Sequence, residues 1–236
     1  MTVLEGKVVA ISGAFGGLGP SVIAAFARAG ARLALADRDL SRSTPALQSA
    51  QVSAEQCRVS AVNLLVAAEA RAWAESVLAE FGRLDALLHL VGGWRGGVPI
   101  EDFAQADWEW LNAALVETTW QVIRAFAPAL KAHRGRFVMI SSPQAQRPSH
   151  TNAAYAAGKA AAEALTLALA DELAPFGGSA NIIVVKGILT PSMRAELPED
   201  QQRDLTPAED IAQALVFLCS DAGQRMNGQR LCLHGV

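Results

Sequence analysis

Short runs rich in Val, Ile and Leu alternate along this chain with longer Ala-rich stretches, and that alternation constrains the fold more than any other feature. Parallel strands covered on both faces read as near-continuous apolar runs, and the helices between them supply the crossovers. The runs predict strands over 7–11, 32–36, 58–62, 86–90, 136–140, 181–185 and 230–233. Helices are predicted over 20–29, 67–81, 107–132, 152–173 and 207–220, with a less regular one after Ser41. The expected class is α/β, with about seven parallel strands and helices on both faces. At 236 residues, with no linker, repeat or low-complexity tract, the chain reads as a single domain over residues 1–236. Segment 188–206, with Pro191, Pro198 and then Pro207, has little periodicity and reads as a mobile substrate loop or lid.

Directly after the first strand comes Ser12-Gly13-Ala14-Phe15-Gly16-Gly17-Leu18-Gly19, with Pro20 in the first turn of the next helix. A strand turning at once into a helix aims unsatisfied N–H groups and a positive dipole end at a ligand; side chains there would block a pyrophosphate. The alternative is a structural tight turn, but its place between strand one and helix one favours nucleotide binding and a doubly wound, Rossmann-type sheet. Asp37 ends the second strand, 24 residues (37 − 13) after Gly13, where a carboxylate takes hydrogen bonds from the adenosine ribose. That favours NAD. NADP stays open, because Arg38 would pair with a 2′-phosphate if the carboxylate swung aside; Asp37 as a loop cap before Ser41 is the plainer alternative.

Tyr155 is the chain's one tyrosine, and Lys159 follows four residues later in an Ala-rich segment, so a helix puts both on one face. An ammonium beside a phenol stabilises phenolate and is expected to pull the tyrosine down towards the operating pH, making it a proton donor or acceptor. Strand five ends in Ser141-Ser142, which places a hydroxyl where open α/β sheets bind ligands. Each residue also has a bland role: Ser142 as a turn cap, Asn112 as a solvated helix residue, Lys159 as a surface charge.

Gly13-x-x-x-Gly17-x-Gly19, Asn112, Ser142 and Tyr155-x-x-x-Lys159 together resemble the short-chain dehydrogenase/reductase family in order and spacing, over nearly the whole chain. The resemblance implies an NAD(P)(H)-dependent enzyme interconverting a secondary alcohol and a ketone, of the 3-oxoacyl reductase or a related carbonyl reductase kind. It implies catalytic roles for Ser142 (orienting substrate), Tyr155 (proton exchange), Lys159 (also binding the nicotinamide ribose) and Asn112 (holding a proton-relay water). For the cofactor it implies Gly13, Phe15, Gly17, Leu18, Gly19, Asp37, Arg38, Asn63, Gly92, Tyr155, Lys159, Gly187, Ile188 and Thr190. It also implies a homodimer or homotetramer through the long helices and last strand.

The chain departs from that pattern at His89-Leu90-Val91-Gly92, where the family shows Asn-Asn-Ala-Gly, at Lys186-Gly187 for Pro-Gly, and at His234 for an aspartate. His89 is expected to be a hydrogen-bonding structural residue, and Lys186 raises an anionic substrate as a possibility against simple solvent exposure. These departures motivate the alternative of a dinucleotide sensor without turnover. Trp94, Arg95, residues 144–150 and 188–206 are where specificity is expected. A net charge of -3 with 18% charged residues offers nothing to nucleic acid. Cys57, Cys219 and Cys232 form no C-x-x-C pair, the four histidines lack metal spacing, and charged residues interrupt the apolar runs of the opening segment. No metal, no membrane span and a cytoplasmic location are expected.

Overall fold

The structure, a computed structural model, describes residues 2–53 and 55–233. Its strands are β1 (Val8–Ser12), β2 (Arg32–Asp37), β3 (Cys57–Ala61), β4 (Ala86–His89), β5 (Arg136–Ser141), β6 (Ser179–Val184), β7 (Ile188–Leu189), β8 (Thr206–Pro207) and β9 (Arg230–Cys232). Its α-helices are α1 (Gly19–Arg28), α2 (Ser43–Ala50), α3 (Ala67–Phe81), α4 (Gln105–Leu111), α5 (Thr118–His133), α6 (Ala153–Leu173), α7 (Pro191–Glu196), α8 (Glu199–Gln202) and α9 (Ala208–Cys219). Seven strands form one parallel sheet in the order β3-β2-β1-β4-β5-β6-β9, the doubly wound arrangement expected from the alternation.

Side chains along each strand alternate between two cores. Val9 and Ile11 of β1 with Leu33 and Leu35 of β2 pack against Val22, Ile23 and Phe26 of α1 and Ile211 and Leu215 of α9. Val8, Ala10 and Phe137 face the other way, onto Trp73 and Val77 of α3, Phe126 and Leu130 of α5 and Leu169 of α6. There Trp73 meets Phe126 edge-on, with ring centroids 4.7 Å apart. Phe126 is wholly buried, so Phe126→Ala would cost about 3–5 kcal/mol.

The helix expected over 107–132 is not uniform. Between α4 and α5 lies a π turn, Asn112–Glu117. A π turn interrupts the regular backbone bonding, and two threonines take up carbonyls there: Thr118 Oγ1 donates to Ala114 O at 2.8 Å and Thr119 Oγ1 to Leu115 O at 2.7 Å. Nor is 188–206 a structureless loop. β7 and β8 lace its ends together, Ile188 pairing with Thr206 and Leu189 with Pro207, and α7 and α8 fill the interval. Pro191 starts α7, while Pro198 and Pro207 are the N-caps of α8 and α9. At a helix start the missing N–H has no partner to lose, so these prolines begin helices rather than punctuate a loop.

No described helix is long and apolar enough to cross a membrane. Among the described residues no group of three or more His, Cys, Asp or Glu is placed to hold a metal. The departure at His234 lies outside the described residues.

Candidate active site

The strand order reverses between β1 and β4, and the segments leaving their carboxyl ends part company there, opening a crevice. It holds two adjoining clefts, of about 210 Å³ and about 720 Å³, which share Gly13, Val91 and Gly92. Gly13 has φ +72°, and a Cβ there would lie 2.8 Å from Val91 N; one on Gly19 would lie 1.9 Å from Ala14 O. A side chain at 13 would fill the joint between the clefts, and one at 19 would force α1 off its turn. α1 starts with no side-chain cap and no acidic residue in its first turn, so its leading N–H groups and dipole face the cleft unopposed. Gly17 and Leu18 line the larger cleft.

Asp37, Arg38 and Asn63 line the smaller cleft. Asp37 Oδ2 accepts from Phe15 N at 3.0 Å and Oδ1 from Arg38 N at 2.7 Å, so the carboxylate is tied to the glycine turn and its free lone pairs are oriented. The Phe15 ring is core; only its backbone belongs to the site. Asn63 closes an Asx turn, accepting from Leu65 N at 3.1 Å, while its own N–H is held by Glu69 Oε2 at 2.7 Å. An uncapped helix start, a cradle that a Cβ would fill and a fixed carboxylate at the far end fit a dinucleotide laid across the joint.

Ser142, Tyr155 and Lys159 converge on the larger cleft with Gly92, Gly187, Ile188 and Thr190. α6 brings Tyr155 and Lys159 there, one turn apart, and Gly158 lets it close on the π turn: a Cβ would lie 3.0 Å from Leu115 Cδ1. The Ser142 hydroxyl acts on the Tyr155 phenol, lowering it, and caps the turn Pro143–Ala145, accepting from Gln144 N at 3.4 Å. Lys159 is only 6% exposed, and its Nζ donates to Ile140 O at 2.9 Å. Burial pushes it down to about 8, against the opposing pull of Glu163.

One expectation needs correction. The phenol of Tyr155 is not pulled down: burial raises it, and the Ser142 hydroxyl offsets this only in part. The lysine instead spends a bond on Ile140 O. Asn112 stands at the start of the π turn, but its Nδ2 donates to Trp108 O at 3.3 Å within the same helix, and it lines neither cleft. Lys186 does line the larger cleft, but it pairs with Asp204 at 2.7 Å, so the local charge is balanced.

His89 is buried and held on both sides, Nδ1 lying 2.8 Å from Ser12 Oγ and Nε2 3.4 Å from Thr118 Oγ1. Each hydroxyl also faces a backbone carbonyl, Thr118 Oγ1 that of Ala114 at 2.8 Å and Ser12 Oγ that of Leu88 at 3.3 Å. Burial, then Lys159, pushes this imidazole down to about 3, so it is a neutral tie between β4, β1 and the π turn, as its position at the strand end suggests.

Glu163 escaped the sequence reading. It is buried, accepts from Ser141 Oγ at 2.6 Å and pairs with Arg230 Nε at 2.6 Å. Its spacing was legible, one turn past Lys159 on the same face; its partner on β9 was not. Arg95 turns away from the cleft onto Asp107 and the Trp110 ring, whereas Trp94 lines it.

Residues 13–235 match the family described as enoyl-(acyl carrier protein) reductase. The chain is 28% identical to 7alpha-hydroxysteroid dehydrogenase of Escherichia coli (strain K12), covering 98% of this chain and 94% of that one. With D-threitol dehydrogenase of Mycolicibacterium smegmatis it shares 31% identity over 98% and 93% of the two. Among solved structures it resembles 3-ketoacyl-(acyl-carrier-protein) reductase from Brucella melitensis complexed with NADH, at a TM-score of 0.88 and 26% identity, covering 98% of each chain.

Proposed function

This chain belongs to the short-chain dehydrogenase/reductase family and is an NAD(P)-dependent alcohol/ketone oxidoreductase; from that premise we propose that Tyr155 is its general acid/base. The observation that carries the reading is the convergence of Ser142, Tyr155 and Lys159 on the cleft that opens from the glycine turn. A bound nicotinamide supplies or takes up the hydride. Every other task falls to the chain. Tyr155 gives its proton to the carbonyl oxygen in reduction and takes it back in oxidation, and the raised phenol starts in the protonated form that reduction needs. Ser142, which lines the same cleft, orients the same oxygen. Lys159 binds the nicotinamide ribose and stabilises the phenolate that remains. Glu163, anchored by Arg230 and Ser141, favours the charged form of Lys159. Asn112, at the start of the π turn, is assigned the holding of a proton-relay water.

NAD is the proposed coenzyme. With both Asp37 oxygens bonded to backbone N–H groups, the carboxylate does not swing aside to admit a 2′-phosphate, and it meets ribose hydroxyls as an acceptor. The segment 188–206 contributes a wall through Ile188, Thr190 and Met193. A homodimer or homotetramer is part of the proposal, supported by exposed Trp108 and Trp120 on the long helical element; a monomer by light scattering overturns it. A cytoplasmic location rests on three unpaired cysteines and is checked by cell fractionation.

The test is oxidation of NADH and NADPH over ketones, 3-oxoacyl thioesters, quinones and keto acids, with Tyr155→Phe beside the wild type. Turnover lost in the variant is expected. Cofactor binding without turnover anywhere would overturn the enzyme in favour of a sensor, a reading to which the named dehydrogenase and reductase relatives lend no weight.

A further inference from the structure

We propose that Trp94 is the platform for the body of the substrate, and that the substrate is an uncharged carbonyl compound carrying a flat or ring-shaped apolar group. The inference deepens the oxidoreductase reading above and rests on it.

Trp94 shares the larger cleft with Ser142 and Tyr155, yet 59% of it is exposed. Its indole is nevertheless fixed. Nε1 donates to Asn152 Oδ1 at 2.9 Å, three residues before Tyr155, and Asn152 Nδ2 donates onward to Ser149 Oγ at 3.1 Å. The loop behind it is pinned as well. Gly97 N donates to Thr151 O at 2.8 Å, and a Cβ on Gly93 would lie 2.4 Å from the Trp110 ring. Arg95 stacks over that ring at 4.2 Å and pairs with Asp107. Thr151 is held at φ +63°, a conformation that a β-branched residue keeps only where its surroundings impose it. An indole with its N–H satisfied, its orientation set and an apolar face left open beside the reacting group is preorganised for stacking.

Charge sets the class of ligand. Among the described lining residues only Lys159 and Lys186 are charged. Lys159 is buried and bonded to Ile140 O, and Asp204 balances Lys186. An anionic substrate would have to compete with Asp204 for Lys186, and a cationic one would find no acid in the lining. Pro143, Ile188 and Met193 add apolar surface around the same space, so a neutral, apolar body loses least on entering.

The experiment compares wild type, Trp94→Phe and Trp94→Ala on butanone, cyclohexanone, an aryl ketone and a keto acid of similar size, using whichever reduced coenzyme turns over. The readout is the ratio of kcat/KM values between the ring ketones and butanone, which does not depend on the folded fraction of a variant. Wild type is expected to favour the ring ketones over both butanone and the keto acid. Trp94→Ala should cut the ratio about tenfold, mainly through KM, with Trp94→Phe in between. An unchanged ratio in Trp94→Ala, or a wild-type preference for the keto acid, overturns the platform. Full turnover by Tyr155→Phe would instead defeat the oxidoreductase mechanism while leaving the ratio readable; reduction of no ketone in the set defeats both.

Discussion

Replacing Lys159 by methionine should abolish turnover and yet make the protein more stable at neutral pH. The side chain is 6% exposed, and the fall from 10.5 to about 8 is dominated by burial. At about 1.4 kcal/mol per pH unit, keeping that ammonium inside costs the native state about 3 kcal/mol. Methionine removes the charge but forfeits the bond to Ile140 O, worth about 1 kcal/mol, for a net gain of about 2 kcal/mol at pH 7. The sign follows from proton counting. Between about 8 and 10.5 the unfolded chain holds more protons at this position than the folded one, so wild-type stability rises with pH through that window. The advantage of the variant is therefore full below about 8 and gone by about 10.5. Urea unfolding of both proteins at pH 7 and pH 10 reads the difference directly. Equal destabilisation by Lys159→Met at both values would refute the claim that this lysine is held charged against its surroundings.

Glu163→Gln should move the basic limb of the reduction profile to lower pH, because Glu163 opposes the lowering of Lys159; the limb in wild type is expected near 8, and an unmoved limb in the variant's kcat/KM profile would separate the two residues. Asp37→Ala should lower kcat/KM for NADH and raise it for NADPH, reversing a preference of about tenfold or more, since Arg38 is then free to meet a 2′-phosphate; steady-state kinetics with both coenzymes checks this, and retained NADH preference would contradict the role given to the carboxylate.

The sheet was legible because its signal is local: a buried parallel strand announces itself as an apolar run, and all seven lie within a residue or two of their expected bounds. The close backbone approaches at Gly13 and Gly19 and the strand-end position of Asp37 were legible for a similar reason, since each depends on few neighbours. The π turn was not, because inserting a residue into a helix leaves composition and apolar spacing almost unchanged across Asn112–Glu117. Prolines at 191, 198 and 207 misled in the other direction, as a residue that ends one helix also starts the next. The state of Tyr155 depended on burial, and the partners of Glu163, Lys186 and Trp94 lie far away in sequence, on β9, near β8 and before α6. No pattern along the chain encodes such pairs.

The most direct test of the central claim is Tyr155→Phe, assayed for turnover of a ketone that the wild type reduces and, by fluorescence titration, for affinity towards the reduced coenzyme. Removing one oxygen should lower kcat by about a hundredfold or more while coenzyme affinity stays within about threefold. A variant that reduces the same ketone within tenfold of the wild-type rate would contradict the assignment of the proton to Tyr155.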